Sequence, residues 1–432
     1  MELSVPFGRA ATRARHALGR RLRGGPAKGT PDPFREFRAL DGPVLVGGPT
    51  PRHARELDGD PRLVVLLPHL NVSKMSGGPN TILQITARLL PLGVRIRYVS
   101  AFGRLDPDAS AVLEHIGSLT GVAPDPQAVD LVERSARGSV LELGDRDVLL
   151  ASWWPTAHVA NAGLGVVRAR EFIYVVQDYE PGFYPWSTKH ALAAATYGMP
   201  MRAIVNEQLL VDHLRAERVG RFAAPPSDSN TTSFMPAVDR SLFAPRERIS
   251  GAPRRLVFYA RPRNPRNLFE LGLRALRTAV ARGVFDQGEW EFHAIGQELV
   301  DLPLSDRHVL SASPWLSYRD YAQFLGDADV LLALMLSPHT SYPPLEMAVA
   351  GGLVVTNTFG VKTAEAVAAI SPAIRAVQPD LDALVAALSD AVDSSIAVGG
   401  PRPTTTLPAT WDESLRDVVP WLHRTIEELR AG

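Results

Sequence analysis

Two arginines, Arg261 and Arg266, share the stretch Leu256-Val-Phe-Tyr-Ala-Arg-Pro-Arg-Asn-Pro-Arg-Asn267. A guanidinium stays charged and presents paired N–H donors that match a phosphate. Two of them in one tight loop suit a diphosphate. The same residues also read as two solvated surface arginines. Further on, Glu346 lies within Ser337-Pro-His-Thr-Ser-Tyr-Pro-Pro-Leu-Glu-Met-Ala-Val-Ala-Gly-Gly352. A carboxylate in the first turns of a helix is favoured by the helix dipole and accepts hydrogen bonds from sugar hydroxyls. Alone, Glu346 would read first as a helix cap. Beside an arginine pair on the same edge of a sheet, it points to a nucleotide-sugar site.

The elements that would position these groups follow from the local pattern. Leu256–Tyr259 is a short apolar run of β-formers, broken by Pro262, Asn264 and Pro265. From Leu268 the residues Leu271, Gly272, Ala275 and Leu276 recur at helix spacing. The arginines therefore sit where a strand hands over to a helix, the crevice that binds ligands in open α/β sheets. A helix N-terminus there favours anions. The apolar run Val330–Met335 precedes the Glu346 stretch and brings it to the same edge.

Elsewhere the chain alternates in the same way. Strands are expected at 63–67, 95–99, 147–151, 172–176 and 203–205, with helices at 80–92, 107–116, from 153, at 187–197 and at 208–217. Residues 220–232 read as a loop, followed by a linker and a second series. That series has strands at 256–259, 290–295, 309–310, 330–335 and 353–356, and helices at 318–325, 344–349 and 381–392. One last amphipathic helix is expected over 411–429. Strands alternating with helices mean parallel, doubly wound sheets, an α/β class. The expected division is a basic tail over 1–30, a first Rossmann-like domain over 31–235, a second over 236–408, and a closing helix over 409–432. Gly77-Gly78 stands just before the helix expected from Asn80. Glycines there let backbone N–H groups approach an anion or sugar, though a turn needing positive φ would look the same.

Composition narrows the classes. A chain of 432 residues is too long for one core and suggests about two domains. With 45% hydrophobic and 21% charged residues it is an ordinary globular chain, and its zero net charge gives no reason to expect nucleic acid. It has no cysteine, which excludes disulfides, cysteine metal sites and a thiol nucleophile, and fits a cytoplasmic location. No apolar run approaches the ~18 residues needed to span a bilayer. The first 28 residues carry Arg9, Arg13, Arg15, Arg20, Arg21, Arg23 and Lys28 against Glu2 alone. They read either as a basic amphipathic helix resting peripherally on an anionic membrane or as a disordered basic tail. Asp145-Arg-Asp147 has a metal-site spacing but lies before a strand, so it reads as a turn; no metal and no cofactor are expected.

The Arg-x4-Arg loop, the glutamate ahead of Ala-Val-Ala-Gly-Gly, and Pro236-Ala-Val-Asp239 through Phe243-Ala-Pro245 resemble GT-B glycosyltransferases of family 4. Within these, Tyr259-Ala-Arg-Pro, Arg266-Asn-Leu-Phe-Glu-Leu, Gln177-Asp-Tyr-Glu-Pro181 and Ser337-Pro-His-Thr-Ser-Tyr-Pro-Pro-Leu-Glu346 are similar to the WsaF-like rhamnosyltransferases of bacteria. The resemblance covers about residues 60 to 425. It implies a GT-B fold, with the final helix packing back toward the first domain. The implied activity is transfer, with retention, of L-rhamnose from dTDP-β-L-rhamnose to a glycan or lipid-linked glycan of a surface polysaccharide. A UDP- or GDP-sugar transferase, or a non-catalytic scaffold of a polysaccharide-assembly complex, are the alternatives.

On this reading Arg261, Arg266 and Glu346 carry catalysis. The two arginines neutralise the leaving diphosphate, and Glu346 holds the nucleotide's sugar ring. Gly78, Gly296, His339, Ser341 and Tyr342 complete the donor site. Gly77, Asp178, Glu180 and His158 face the acceptor, although an ordinary packed histidine fits His158 equally well. One departure stands out. Family 4 members carry Glu-x7-Glu, and Pro338 occupies the first place here. That suits a 6-deoxy sugar held by other groups, such as His339 or Ser341.

Overall fold

A computed structural model describes residues 47–75, 77–224, 230–245, 251–314, 316–396 and 405–432. The basic tail lies outside them. Seven parallel strands form the first sheet: β1 (Leu63–Leu67), β2 (Ile96–Ser100), β3 (Val129–Glu133), β4 (Val148–Ala151), β5 (Phe172–Val176), β6 (Met201–Asn206) and β7 (Thr231–Phe234). Their order is β3-β2-β1-β4-β5-β6-β7. Every residue of β1, β4 and β5 is buried, which is why these strands read as unbroken apolar runs. The second sheet contains β8 (Arg254–Tyr259), β9 (Trp290–Ile295), β10 (Leu302–Pro303), β11 (Val309–Ala312), β12 (Val330–Leu332), β13 (Leu353–Asn357) and β14 (Ile374–Val377). Its order is β10-β11-β9-β8-β12-β13-β14, parallel except for the short β10 on one edge. In both sheets the order reverses at the first strand, so the crevices open at the carboxyl ends of β1/β4 and β8/β12.

Several boundaries differ from the sequence reading, each for a local reason. The helix expected from Asn80 to Leu92 runs Gly77–Ala87, so Gly77-Gly78 form its first turn instead of preceding it. It stops at Ala87 because the ring of Pro91 would meet that residue's carbonyl; a 3-10 turn, Leu90–Leu92, follows. The last helix divides into Trp411–Ser414 and Val418–Ala431. Pro420 is tolerated in a first turn but not four residues beyond Arg416, which sets the break. Strand β7 lies partly within the stretch read as a loop. Its sequence Thr-Thr-Ser-Phe has little apolar patterning, and it pairs with β6 alone.

The two lobes are tied by the end of the chain. Leu415, Val418, Trp421, Leu422, Ile426 and Leu429 join the apolar core of the first lobe. Arg430 donates to the Pro61 carbonyl at 3.1 Å and Arg88 to Asp412 at 2.8 Å, while Glu428 pairs with Arg202. The helix Phe269–Ala281 packs on β8 at Gly272, where an added Cβ would sit 2.5 Å from the Phe258 ring. That close approach sets the position of the loop carrying the two arginines. Among the described residues no helix is long and apolar enough to cross a membrane.

Candidate functional site

Tyr259 and Ile295 are partners in the parallel β8–β9 ladder, so Ala260-Arg261 and Gly296 leave the sheet side by side. Gly296 has φ +100, and a Cβ there would stand 2.7 Å from Tyr259 Cε2 and 3.3 Å from Arg261 Cγ. Its missing side chain is what lets Arg261 lie over Tyr259, with its guanidinium 5.9 Å from the ring centroid. Arg261 is half-buried, and among the described residues no carboxylate pairs with it. Among the described residues it is a cation without an ion pair, at the carboxyl end of β8.

Arg266 is placed differently. The Pro265–Asn267 turn is fastened to the segment after β12 by Leu336 N–H on the Arg266 carbonyl (2.8 Å) and the Asn267 amide on Leu334 (3.0 Å). Its guanidinium pairs with Asp178 of the first lobe and lies 4.3 Å from the centroid of Phe183. The Ser337 hydroxyl donates to the other Asp178 oxygen. Burial alone would raise the Asp178 carboxyl, but Arg266, His339 and the Ser337 hydroxyl hold it below the ordinary aspartate range. The sequence reading put Arg266 on the donor and Asp178 on the acceptor; the structure brings the two together.

The loop before the Glu346 helix is likewise engaged. Thr340 donates its N–H (2.8 Å) and its hydroxyl (2.9 Å) to Glu207, a fully buried carboxylate at the end of β6. His339 N–H donates to Ser337, and Ser341 N–H donates to His339 Nδ1 at 2.9 Å. The other ring nitrogen of His339, Nε2, is buried and has no partner among the described residues. Ser341 has φ +71, an uncommon conformation for a residue with a side chain. Tyr342 reaches Thr81 at 2.8 Å and Asn206 at 3.4 Å, both in the first lobe. Lys362, also buried, donates to the Met335 carbonyl at 2.9 Å; burial pushes its amine down to about 8, against the pull of Asp178 and Glu207. The sequence reading missed Glu207 and Lys362. Glu207 directly follows β6 as Asp178 follows β5, so the same edge rule would have found it.

Glu346 is buried in the helix Tyr342–Val349 and accepts the Tyr321 hydroxyl at 2.8 Å. Burial pushes its carboxyl up to about 7, partly offset by the hydroxyls of Tyr321 and Tyr318. Tyr259 lies beneath Arg261, Tyr321 donates to Glu346, and both tyrosines pack against the same apolar cluster of the second lobe.

In the first lobe, Gly78 faces Gln177, whose side-chain amide would lie 3.4 Å from an added Cβ; at Gly77 that space is open. Glu180 accepts the Tyr174 hydroxyl at 2.7 Å, and burial pushes its carboxyl up to about 8. His158 Nε2 bonds the Leu192 carbonyl at 3.0 Å, with its ring on the edge of Trp154. These last two groups are committed to packing within the lobe. Asp147, under Arg62 at 3.0 Å, and Asp145, paired with Arg168, hold a turn before β4.

Two facing Rossmann-like lobes with a C-terminal helix returned to the first define the GT-B fold. The structure superposes on HepE from Anabaena, solved with UDP and glucose, with a TM-score of 0.53, 12% identity, and 86% of this chain and 100% of that chain covered. A glycosyltransferase from Rickettsia africae gives 0.51, 11% identity, and 86% and 98% coverage. At such identities the likeness is one of fold. Residues 62–207 match the family model "WsaF, N-terminal domain" and residues 254–389 "WsaF, C-terminal domain". The chain belongs to the WsaF family. It is also 37% identical over 221 residues to the O-antigen biosynthesis protein RfbC of Myxococcus xanthus, which covers 49% of this chain but only 15% of that relative.

Proposed function

We propose that this chain is a glycosyltransferase that moves a sugar from a nucleoside-diphosphate donor to a growing surface glycan or lipid-linked glycan. The observation that carries the reading is Arg261: a partly enclosed cation without a carboxylate partner among the described residues, following β8, while the Glu346 helix follows the parallel neighbour β12. Such a cation is placed to take the charge that builds on a departing diphosphate. Glu346 accepts the nucleotide's sugar hydroxyl. A diphosphate reaching Arg266 has to displace the Asp178 carboxylate, and that exchange frees Asp178 to meet the acceptor hydroxyl. The donor in this reading is dTDP-β-L-rhamnose, transferred with retention and without metal. Its support is the motif resemblance and the absence of a glutamate at Pro338.

Thermal shift of the purified chain with dTDP, UDP and GDP in parallel tests the nucleotide, since a ligand that binds only the folded state raises the midpoint. Turnover or slow hydrolysis of dTDP-rhamnose then tests the chemistry. Stabilisation by UDP or GDP alone would replace the donor. No nucleotide binding would leave the scaffold alternative.

A further inference from the structure

Lys362 is a buried amine short of acceptors. It follows β13 and is 1% exposed. Its Nζ donates to the Met335 carbonyl at 2.9 Å, an oxygen that also takes the Asn357 amide at 3.1 Å and the Ser337 N–H at 2.9 Å. A carbonyl has two lone pairs, so three donors overload it, and an ammonium has two more N–H groups to place. Among the described residues no other acceptor takes them. Packing alone would favour an apolar residue there, because a charge is costly to bury unless it is paired. Its neighbours along the chain it holds are charged contacts. Ser337 donates its hydroxyl to Asp178, Leu336 N–H holds the Arg266 carbonyl, and Thr340 holds Glu207. Two carboxylates of the first lobe thus meet two cations of the second. Among these four, Arg266 pairs directly with Asp178, while Lys362 is left to a shared carbonyl.

A diphosphate that takes Arg266 leaves Asp178 as a buried carboxylate without its guanidinium. Burial then favours the protonated acid, which no longer accepts an acceptor hydroxyl as an anion. Lys362 is the remaining lysine or arginine of the cluster. We infer that Lys362 is a positioning residue of the donor-bound state: its ammonium compensates Asp178 once the diphosphate holds Arg266, and keeps that carboxylate charged toward the acceptor hydroxyl. The inference rests on the exchange at Arg266 proposed above. Burial pushes the free chain's amine down to about 8 and Arg266 adds to that, while Asp178 and Glu207 pull it up. Removing Arg266 from Asp178 strengthens that pull, so the donor-bound chain holds the Lys362 proton more tightly than the free chain does.

The test is dTDP affinity, measured by calorimetry on the full chain from pH 7.5 to 9.5. Affinity should fall about ten-fold as pH rises through the window in which the free chain's amine loses its proton and the bound chain's does not. Asp178→Asn should flatten that profile, because no carboxylate is left to compensate. At pH 7.5, Lys362→Met should bind dTDP about ten-fold more weakly than the unaltered chain. In the Asp178→Asn background the same substitution should cost little, since the two residues share one interaction. Tight binding that is flat from pH 7.5 to 9.5 in the unaltered chain overturns this inference and leaves the donor site standing. So does a decline that Asp178→Asn does not remove, or an equal loss from Lys362→Met in both backgrounds, as a direct grip on the diphosphate or a merely structural role would give. Should Lys362→Met not fold, the two pH profiles decide the matter. If dTDP binds at no pH, the donor site and this inference fall together.

Discussion

Arg261 and Arg266 look equivalent in the sequence, but the structure gives them different work, and alanine substitution should separate them. Arg261 is half-buried and is not ion-paired to any described carboxylate. Arg261→Ala should therefore change the stability of the ligand-free chain by no more than ~0.5 kcal/mol, as at other partly exposed sites. The loss should appear on binding. A charge-assisted hydrogen bond contributes about 1.5–3 kcal/mol, so dTDP should bind about ten- to a hundred-fold more weakly. Arg266→Ala strips the partner from a buried Asp178, leaving it the Ser337 hydroxyl and the Tyr179 N–H at 2.8 Å. Removing one member of a buried pair costs about 3–5 kcal/mol. The side chains retain 17% and 10% exposure, and water reaching the orphaned carboxylate reduces that to about 2–3 kcal/mol. The midpoint should drop by several degrees. Adding Asp178→Asn should recover part of it, since the two substitutions share one interaction. Differential scanning fluorimetry without ligand and calorimetry with dTDP read the two effects separately. The reasoning fails if Arg261→Ala lowers the unliganded midpoint as far as Arg266→Ala does, or if it binds dTDP like the unaltered chain.

Three further outcomes follow from the same contacts. Glu346 has its carboxyl pushed up to about 7, so a ligand hydroxyl that donates to the carboxylate loses its charge-assisted acceptor as pH falls below that value; dTDP affinity measured from pH 8 to 6 should decline, and Glu346→Gln should flatten the profile. Glu180 holds its proton up to about 8 when folded and gives it up near the ordinary glutamate value when unfolded. The native state therefore binds the extra proton between those limits, and this group's contribution to stability falls as pH rises through the window. Glu180→Gln keeps an acceptor for Tyr174, so chemical denaturation at pH 5 and pH 8 should show a smaller loss in the variant, by a few kcal/mol. Gly296→Ala forces a side chain into positive φ and to 2.7 Å from the Tyr259 ring. A midpoint loss equivalent to about 1–3 kcal/mol is expected, with weaker dTDP binding as Arg261 is pushed aside.

Much of the fold was legible because parallel strands buried on both faces write themselves as apolar runs. Phe172–Val176 and Trp290–Ile295 match the sequence reading to the residue. The strands that escaped lie at edges. Val129–Glu133 has only its first residue buried, Thr231–Phe234 is mostly polar, and Val140–Leu143 pairs only with Thr50–His53 in a two-stranded sheet. Such strands are held by one neighbour's hydrogen bonds, and nothing in their own side chains announces that neighbour.

The site divides along the same line between local and long-range information. That Arg261, Arg266, Ser337 and Glu346 share one edge follows from each standing just after a strand of the second sheet, or on the helix beyond it, and the strand order obeys that rule. That Asp178 meets Arg266, and Glu207 meets Thr340, depends on how far two lobes have closed, which no local pattern encodes. Both contacts pair a first-lobe carboxylate with a second-lobe group otherwise suited to an anion: a guanidinium in one case, a backbone N–H with a hydroxyl in the other. A carboxylate and a phosphate ask for the same donors. The lobes therefore close on each other through the chemistry by which the second lobe would hold a diphosphate, and on the proposed reading a nucleotide would compete with the lobe contact for Arg266. If so, Asp178→Asn should tighten dTDP binding even as it weakens the unliganded chain, an opposition that a purely structural ion pair would not produce.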